Sequence, residues 1–344
     1  MLWARVTAAS VGPVSDGNER YLHGHTSAVL QAHSARTVET SFGYGLHLLR
    51  PGLDVLDLGC GPGSITVGIA GRVAPGRVLA VDRDAGVLAT AGTAARQAGL
   101  TNVEFAAMDA YHLDVPDDSF DLVHAHQVLQ HLADPVAALV ELARVTRPGG
   151  VIAARDSDYA GWIWHPADPL LDRWLELYRT LARAAGGEPD AGRRLLAWAH
   201  AAGLRDVRAS SSTWTYSAGA GAEWWGGLWA ERILSSGVAE QAIGTGAATR
   251  DELHAISQAW LAWAGHPDAW LAIPHGEILA TVPWRRSVAT HLRRQLRRRT
   301  GLWPSGTTEG ADGSLRPLGP SPSPSARTAN LSTLDGEPGV NPGL

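Results

Sequence analysis

The stretch that most constrains the fold is a short apolar run that ends in three closely spaced glycines. Residues 55–63 read VLDLGCGPG. The next segment, 64–74, has apolar side chains at Ile65, Ile69 and Val73, and this four-residue spacing predicts a helix. Strand, glycine turn and helix together form the opening unit of a nucleotide-binding α/β sheet. Glycine suits such a turn because the backbone must reach positive φ and approach a ligand closely.

The spacing of the glycines distinguishes two kinds of nucleotide-binding loop. A dinucleotide loop has the pattern G-x-G-x-x-G, whereas this chain has G-x-G-x-G, with Ser64 at the last glycine position of the dinucleotide pattern. Pro62 also removes one backbone donor from the loop. Such a loop suits an adenosine that carries an amino acid better than a pyrophosphate. The next predicted strand ends at Asp82, 19 residues after Gly63, where an acid can accept both ribose hydroxyls.

With DLGCGPG at 57–63 and AVD at 80–82, the chain resembles the class I S-adenosylmethionine-dependent methyltransferases. The resemblance implies an enzyme of that class with S-adenosylmethionine as its cofactor. It also implies that Asp109 accepts a hydrogen bond from the adenine amino group and that the backbone of Ala110 contacts the ring. The cofactor-binding residues predicted in this way are Asp57, Gly59, Gly61, Gly63, Asp82, Arg83, Asp109, Ala110, His126 and Gln127.

The segment before the first strand can fold over the cofactor in this class of methyltransferase. It contains Tyr21, His25 and Arg36, and an arginine there could clamp the carboxylate of the amino-acid end. We therefore add Tyr21 and Arg36 to the predicted cofactor-binding residues. The alternative is that these side chains lie on a solvated helix face.

Alternating strand and helix patterns predict an α/β fold with a doubly wound, mostly parallel, seven-stranded sheet of the Rossmann-like methyltransferase type. The predicted strands are 54–58, 77–82, 103–107, 120–125, 151–156, 205–216 and 271–282. Pro274 should confine the last of these strands to an edge or a bulge. Helical segments at 168–184, 222–240 and 249–264 are rich in tryptophan, and we expect two cap insertions, 157–188 and 218–268, above the strand ends.

The predicted domain organisation places one methyltransferase domain at 19–282, after a loose N-terminus at 1–18. A basic segment follows at 283–303, where seven arginines occur within 285–299. From residue 304 to 344 glycine, proline, serine and threonine dominate without periodicity, which predicts disorder.

Composition excludes several kinds of chemistry. All 29 basic residues are arginine, so no lysine can form a Schiff base or act as a general base. The single cysteine, Cys60, permits neither an intrachain disulfide nor a cysteine zinc site, and we expect a small buried side chain beneath the cofactor. No segment looks like a secretion signal or a membrane span, which predicts a cytoplasmic protein. The oligomeric state is not predicted.

The fourth predicted strand leads into a cluster of histidines, because residues 120–132 read FDLVHAHQVLQHL. This stretch resembles small-molecule methyltransferases of the quinone-biosynthesis type, in which a histidine closes a V-L-x-H run beside the transferable methyl. The resemblance makes His131 the first catalytic candidate and His126 the second. We predict no metal site, because the carboxylate and cysteine ligands that usually accompany histidines do not recur at a defined spacing.

Methyl transfer needs alignment, exclusion of water and, for a hydroxyl or amine acceptor, a base; histidine is the natural base near neutral pH. An acceptor that reacts through an acidic carbon or an ionised thiol would need no base. Asp156, Asp158 and Tyr159 follow the fifth strand and could also face the acceptor. We predict a small, partly apolar acceptor.

Two alternative functions are a nucleic-acid methyltransferase and a non-catalytic cofactor-binding module. The first would use 285–299 as its basic surface, and the acidic net charge of the chain argues against it.

Overall fold

The computed structural model describes residues 27–283, 307–309 and 315–317. Several predictions therefore lie outside the described residues: the N-terminus 1–18, Tyr21, His25 and the basic segment 285–299. Most of the tail predicted to be disordered also lies outside them. Its two described stretches, β9 (Thr307–Glu309) and β10 (Leu315–Pro317), pair as a short antiparallel ladder, a local departure from that prediction.

The fold is built on one twisted sheet whose strands alternate with helices along the chain. The strands are β1 (Val55–Leu58), β2 (Val78–Asp82), β3 (Val103–Ala107), β4 (Phe120–His126), β5 (Thr146–Ser157), β6 (Ile163–His165), β7 (Asp206–Ser217) and β8 (Trp270–Thr281). They are ordered β3-β2-β1-β4-β5-β8-β6, with β7 also paired to β8. Strands β1 to β5 are mutually parallel, and β8 runs antiparallel to its neighbours. The predicted fold class is confirmed, and β6 is an additional short strand.

The prediction that Pro274 confines the last strand to an edge or a bulge is wrong. Strand β8 is paired on both sides, with β7 along its whole length and with β5 and β6 on the other side. The pairing with β5 ends at His275 and that with β6 begins at Ala272, so Pro274 falls in the gap between them. Its carbonyl still accepts from the Asp158 N–H at 3.0 Å. A proline can occupy the middle of this strand because its missing donor faces a break in the ladder.

The helices cover both faces of the sheet and part of its carboxyl edge. They are α1 (Ser27–Ser34), α2 (Val38–Phe42), α3 (Ser64–Val73), α4 (Ala85–Gln97), α5 (Pro135–Val145), α6 (Pro169–Ala184), α7 (Leu195–Ala201), α8 (Ala220–Ser235), α9 (Gly237–Gly244) and α10 (Arg250–Ala264). The helix predicted at 222–240 is two helices, because Ser236 is extended and caps α9 with its own hydroxyl. Asp134 caps α5 ahead of Pro135. Within the described residues no helix is long and apolar enough to cross a membrane.

Helices α6, α8, α9 and α10 pack around a cluster of buried tryptophans. Trp174 is completely buried and meets Trp229 and Trp260 edge-on, with ring centroids 4.5 and 4.9 Å apart. Tyr178 also contacts both Trp174 and Trp229. We call this four-helix layer the cap, because it stands over the carboxyl ends of the parallel strands.

Replacing Trp174 by alanine is expected to lower the free energy of unfolding by about 3–5 kcal/mol, because the cavity left at this crowded position cannot collapse. Urea unfolding followed by circular dichroism measures this loss. Trp270→Ala is the matched control: Trp270 is 41% exposed, and its loss should cost less than about 1 kcal/mol. Equal effects of the two substitutions would contradict the view that the tryptophan cluster holds the cap together.

Candidate active site

A cavity of about 1080 Å³ opens at the carboxyl ends of β1 and β4. Strand β1 pairs with β2 on one side and β4 on the other, so the sheet order reverses here, and ligands of doubly wound sheets bind at this point. Most of the residues predicted from the sequence lie around this cavity. The predicted site residues that line it are Arg36, Asp57, Gly59, Gly61, Asp82, Arg83, Asp109, Ala110, His126, Gln127 and His131.

The glycine loop between β1 and α3 has the left-handed backbone that its sequence predicts. The φ angles of Gly59, Gly61 and Gly63 are 67°, 53° and 84°. A Cβ on Gly61 would meet nothing within 4 Å, so this position is open toward the cavity. A Cβ on Gly59 would instead lie 2.3 Å from a methyl of Val128. The loop thus combines a tight turn with a face that a ligand can approach closely.

Gly63 differs from the other two loop glycines, because it does not line the cavity. It is the residue before α3, and a Cβ there would lie 2.9 Å from the Cβ of Ala91 on α4. Its prediction as a direct cofactor contact is corrected by this position: Gly63 allows two helices to pack closely behind the loop.

Two carboxylates stand at the ends of neighbouring strands. Asp82 closes β2, where its Oδ2 accepts from the Gly61 N–H at 3.0 Å and its Oδ1 from the Asp84 N–H at 3.1 Å. Asp109 follows β3 and accepts from the Tyr111 N–H at 2.9 Å. Each carboxylate oxygen has a second lone pair, so both groups can still accept from a ligand. This donor and acceptor set fits an adenosine whose ribose lies at Asp82 and whose adenine lies at Asp109 and Ala110.

Asp57 belongs to a network of hydrogen bonds within the protein. Its Oδ1 lies 2.7 Å from Nδ1 of His124 and its Oδ2 accepts from the Thr66 hydroxyl at 2.6 Å. The carboxylate is almost completely buried. Asp57 thus ties β1 to β4 and α3 beneath the loop, and it also lines the cavity, so its contact with the cofactor stays a prediction.

Arg36 belongs to a chain of hydrogen bonds that crosses the site. It donates to Oε1 of Gln127 at 2.7 Å, and Nε2 of Gln127 lies 2.9 Å from Nε2 of His275. Nδ1 of His275 lies 3.0 Å from the Ile273 carbonyl, so His275 donates there and accepts from Gln127. Gln127 has a φ of 54°, a conformation that non-glycine residues seldom adopt. This chain of hydrogen bonds orients the Arg36 side chain, which lines the cavity.

His126 lines the cavity, yet both of its ring nitrogens are buried and have no hydrogen-bond partner in the part of the chain that the structure describes. Its ring lies between those of His124 and His275, with centroids 6.5 and 6.3 Å away, and against Trp214. Burial and the positive charges of Arg36 and Arg155 hold the pKa of His126 well below its usual range. This neutral, enclosed ring is a poorer base candidate than a ring that reaches the cavity surface.

His131 is half-buried at the end of the short helical turn Leu129–His131. Burial, with smaller effects from Arg36 and Arg232, lowers the pKa of His131 to about 4, so the imidazole is neutral at neutral pH. Its Nε2 lies 3.0 Å from Nε2 of Gln130, whose Oε1 accepts from the Ser157 N–H. Gln130 therefore donates to His131, which puts the ring proton on Nδ1. To act as a base, His131 would release the hydrogen bond from the Gln130 amide, and its Nε2 would accept one from the hydroxyl of the methyl acceptor instead.

The three residues predicted to face the acceptor near the end of β5 lie in different surroundings. Asp156 is fully buried, and burial raises its pKa to about 7. Asp158 pairs with the Arg193 guanidinium at 2.6 Å. Neither lines the cavity, so the expectation that they face the acceptor is wrong. Tyr159 does line it, with its ring stacked on those of Trp162 and Tyr178.

Comparison with known proteins shows the family of this chain. A model described as a methyltransferase domain matches residues 49–197. An uncharacterized methyltransferase of Schizosaccharomyces pombe is 33% identical over 267 residues, which cover 75% of this chain and 95% of the relative. The chain belongs to the methyltransferase family. The resemblance drawn from the glycine loop and the spaced acid is thereby confirmed, as are the enzyme class and S-adenosylmethionine as its methyl donor.

Two further relatives extend the comparison to other methyltransferases. A probable methyltransferase of Aspergillus luteorubrus is 27% identical over 289 residues, 76% of this chain and 96% of the relative. A demethylmenaquinone methyltransferase of a Parafrankia species is 32% identical over 211 residues, 55% of this chain and 80% of the relative.

Several residues of this methyltransferase site were not predicted from the sequence. Trp214, Arg232 and the buried Arg155 surround or support the cavity, and His275 anchors Gln127. Each lies on an element far along the chain from the glycine loop, so no local pattern marked them. Among the described residues no group of three or more histidine, cysteine or acidic side chains converges as metal ligands would, and the absence of a metal stays a prediction.

Three neutral histidines in and around this site should make the methyltransferase acid-labile. Burial keeps the pKa values of His126, His131 and His275 below that of an unfolded histidine. Between about pH 6.5 and the folded pKa values, the unfolded chain binds these protons and the folded chain does not, so stability falls as pH falls. Asp156 has the opposite effect on the pH dependence of stability, because its raised pKa lets the folded state hold a proton that the unfolded state releases.

Three histidines outweigh one aspartate, so unfolding near pH 5.5 takes up protons and the free energy of unfolding decreases as the pH falls, by about 1.4 kcal/mol per pH unit for each net proton. Urea unfolding at pH 7.0, 6.0 and 5.0 measures the slope. Equal stability at these three values would show that the folded and unfolded chains bind the same number of protons, which would contradict the lowered pKa values of the histidines.

Proposed function

We propose that this methyltransferase transfers the methyl group of S-adenosylmethionine to a small, partly apolar molecule bound between the glycine loop and the cap. The observation that carries the proposal is the shared cavity: the loop and the strand-end acids line one side of it, and aromatic side chains of the cap line the other. A volume of about 1080 Å³ exceeds that of most single small-molecule sites, which supports room for cofactor and acceptor together.

The cofactor would be held by groups already arranged for it. Asp82 would accept the ribose hydroxyls, Asp109 the adenine amino group, and the backbone of Gly59 and Gly61 would allow close approach. Arg36, oriented by Gln127, would bind the carboxylate of the amino-acid end, where a guanidinium fork matches two oxygens. Arg83 is exposed and lines the cavity directly after Asp82. Tyr21 stays a prediction, since it lies outside the described residues.

When bound, the cofactor supplies a methyl carbon that its sulfonium has already made electrophilic. The protein then has to hold the acceptor in line, keep water out and take up a proton. The cap supplies the apolar wall that excludes water. We propose His131 as the proton acceptor because its neutral ring is partly exposed to the cavity. His126, the second candidate, would serve as an apolar wall of the site.

The structure adds no support for the two alternative functions or for the predicted location. The basic segment 285–299 lies outside the described residues, so the nucleic-acid alternative gains nothing from the structure. The relatives at 27–33% identity are named as methyltransferases, which argues against a non-catalytic module. A cytoplasmic location stays a prediction.

The test is a binding and activity experiment on the purified full chain. Isothermal titration should show binding of S-adenosylmethionine and none of NADH. Radiolabelled cofactor should then transfer its methyl to members of phenolic, lipid-quinone or thiol pools and not to tRNA. Binding of NADH in place of S-adenosylmethionine would refute the proposal. Methyl transfer confined to tRNA would show that the acceptor is a nucleic acid and not a small molecule.

A further inference from the structure

One tryptophan of β7 joins the segment before β1 to the far part of the chain. Trp214 lines the cavity, and its indole Nε1 donates to the Thr40 carbonyl of α2 at 2.9 Å. The two residues are 174 positions apart in the sequence. This hydrogen bond therefore fixes the short helix α2 to a strand that the chain reaches only after the parallel part of the sheet is complete.

The same indole contacts Arg36, which lies just before α2. The guanidinium carbon of Arg36 lies 5.6 Å from the centre of the Trp214 ring, within the range of a cation–π contact. Trp214 also lies against His275, with ring centroids 4.4 Å apart. Arg36, Gln127 and His275 form the chain of hydrogen bonds that crosses the site. Trp214 thus contacts the first and the third side chain of that hydrogen-bonded chain.

A buried ion pair supports the indole. Arg155 is 1% exposed, and its guanidinium carbon lies 4.7 Å from the centre of the Trp214 ring. The Nε of Arg155 donates to the buried Glu277 carboxylate at 3.3 Å and to the Ser212 hydroxyl at 3.2 Å. Separating the pair would leave a charge uncompensated in the interior, so Arg155 stays in place under these restraints. The indole therefore packs against a fixed side chain on one hand and contacts Arg36 on the other.

We propose that Trp214 is a positioning residue for the cofactor, because its ring and its N–H hold Arg36 where the guanidinium binds the carboxylate of the amino-acid end. This inference rests on the proposed function and adds to it a residue that acts through Arg36. Ordering a long arginine side chain on binding costs free energy. The contacts with the indole and with Gln127 order Arg36 before the cofactor arrives. A guanidinium carries five N–H donors, so it can bind Gln127 and a carboxylate at the same time.

The test compares two ligands that differ only in the carboxylate. They are S-adenosylhomocysteine and its decarboxylated analogue, which keeps the adenosine, the thioether and the amine. Isothermal titration of the purified full chain should show that wild type binds S-adenosylhomocysteine about tenfold or more tighter than the analogue. Trp214→Leu should reduce this preference to less than about threefold, while its affinity for the analogue changes by less than about twofold. Trp214→Phe keeps an aromatic ring but loses the donor to Thr40, and its preference should fall between the two.

A second substitution shows whether Trp214 acts through Arg36. Arg36→Gln should abolish the preference for the carboxylate in the wild-type background, because glutamine carries no charge. In the Trp214→Leu background the same substitution should change the preference by less than about threefold, since residues that act as one unit are not additive. Trp270→Leu is the matched control: it removes a partly exposed tryptophan of β8 outside the cavity lining and should keep the full preference.

Three results with the variants would overturn the inference. A full preference in Trp214→Leu would show that Arg36 needs no support from the indole. An equal loss of affinity for both ligands in that variant would assign Trp214 a purely structural role. A full preference in Arg36→Gln would show that another group binds the carboxylate. If Trp214→Leu does not fold, Trp214→Phe decides, because an unchanged preference there would contradict the role of the indole.

The wild-type protein separates this inference from the proposed function. If wild type binds S-adenosylhomocysteine but does not prefer it to the analogue, there is no carboxylate recognition for Trp214 to support. The inference is then overturned, while methyl transfer from S-adenosylmethionine to a small molecule stands. Failure of wild type to bind S-adenosylhomocysteine would remove the proposed function and the inference with it.

Discussion

Replacing His131 by glutamine is expected to lower kcat by about 10²–10⁴ while the affinity for S-adenosylmethionine changes little, provided that the acceptor is a hydroxyl or an amine. Glutamine can still hydrogen-bond to Gln130, so the short turn at Leu129–His131 should persist, but it cannot take up a proton. Steady-state rates with saturating cofactor, together with calorimetric cofactor binding, measure the two effects separately. His200→Gln, an exposed histidine on α7, is the matched control and should be as active as wild type.

The pH dependence of the reaction gives a second, independent check. The pKa of His131 is about 4, so the base is neutral and active above that value and loses activity as the pH falls through it. We therefore expect no histidine limb near pH 6.5 within the range where the protein stays folded. A kcat near that of wild type in His131→Gln would show that no base is needed, as for an acidic carbon or an ionised thiol. A joint loss of stability and cofactor affinity would assign His131 a structural role.

Replacing Asp82 by alanine is expected to weaken S-adenosylmethionine binding by about 1–3 kcal/mol, roughly 5- to 150-fold in Kd. The carboxylate serves two purposes in this structure: it can accept the ribose hydroxyls, and it already accepts from the Gly61 and Asp84 N–H groups. Its loss therefore leaves both the ligand and the glycine loop without an acceptor. Isothermal titration with S-adenosylmethionine measures the change.

Asp114→Ala removes an exposed carboxylate outside the cavity lining and should bind the cofactor like wild type. Asp82→Asn refines the test, because an asparagine keeps one acceptor oxygen but faces the Gly61 or Asp84 N–H with an amide nitrogen. We expect it to fall between wild type and alanine. An Asp82→Ala variant that binds S-adenosylmethionine as tightly as wild type would remove Asp82 from the cofactor site.

The parts of the site that the sequence predicted share a local origin. The glycine loop needs positive φ, and the structure has it at Gly59, Gly61 and Gly63. Asp82 closes the apolar run of β2 and Asp109 comes shortly after β3, and parallel strands bring their carboxyl ends to one edge. Asp134 and Pro135 start a helix for reasons confined to a few residues. Such features follow from backbone sterics and hydrophobic periodicity, which a sequence displays directly.

The errors arose where a role depends on a distant partner. Asp156 follows the predicted pattern of a strand-end acid, but it is fully buried and does not line the cavity. Asp158 ends in a salt bridge to Arg193, 35 positions later, and so turns away from the cavity. Pro274 looked like an edge marker, but its missing donor coincides with a gap between two neighbouring strands. None of these outcomes can be read from a window of the chain.

The sequence by itself determined the sheet, the glycine loop and the family of this protein, because each depends on short-range patterns of glycine, charge and apolar residues. Only the tertiary structure decided which side chains from distant parts of the chain line the cavity. Arg232 and Trp214 come from α8 and β7, and the packing of distant elements brings both to the cavity. It also decided that His131 reaches the cavity surface while the ring nitrogens of His126 are buried, because burial and hydrogen bonding depend on every element that packs around them.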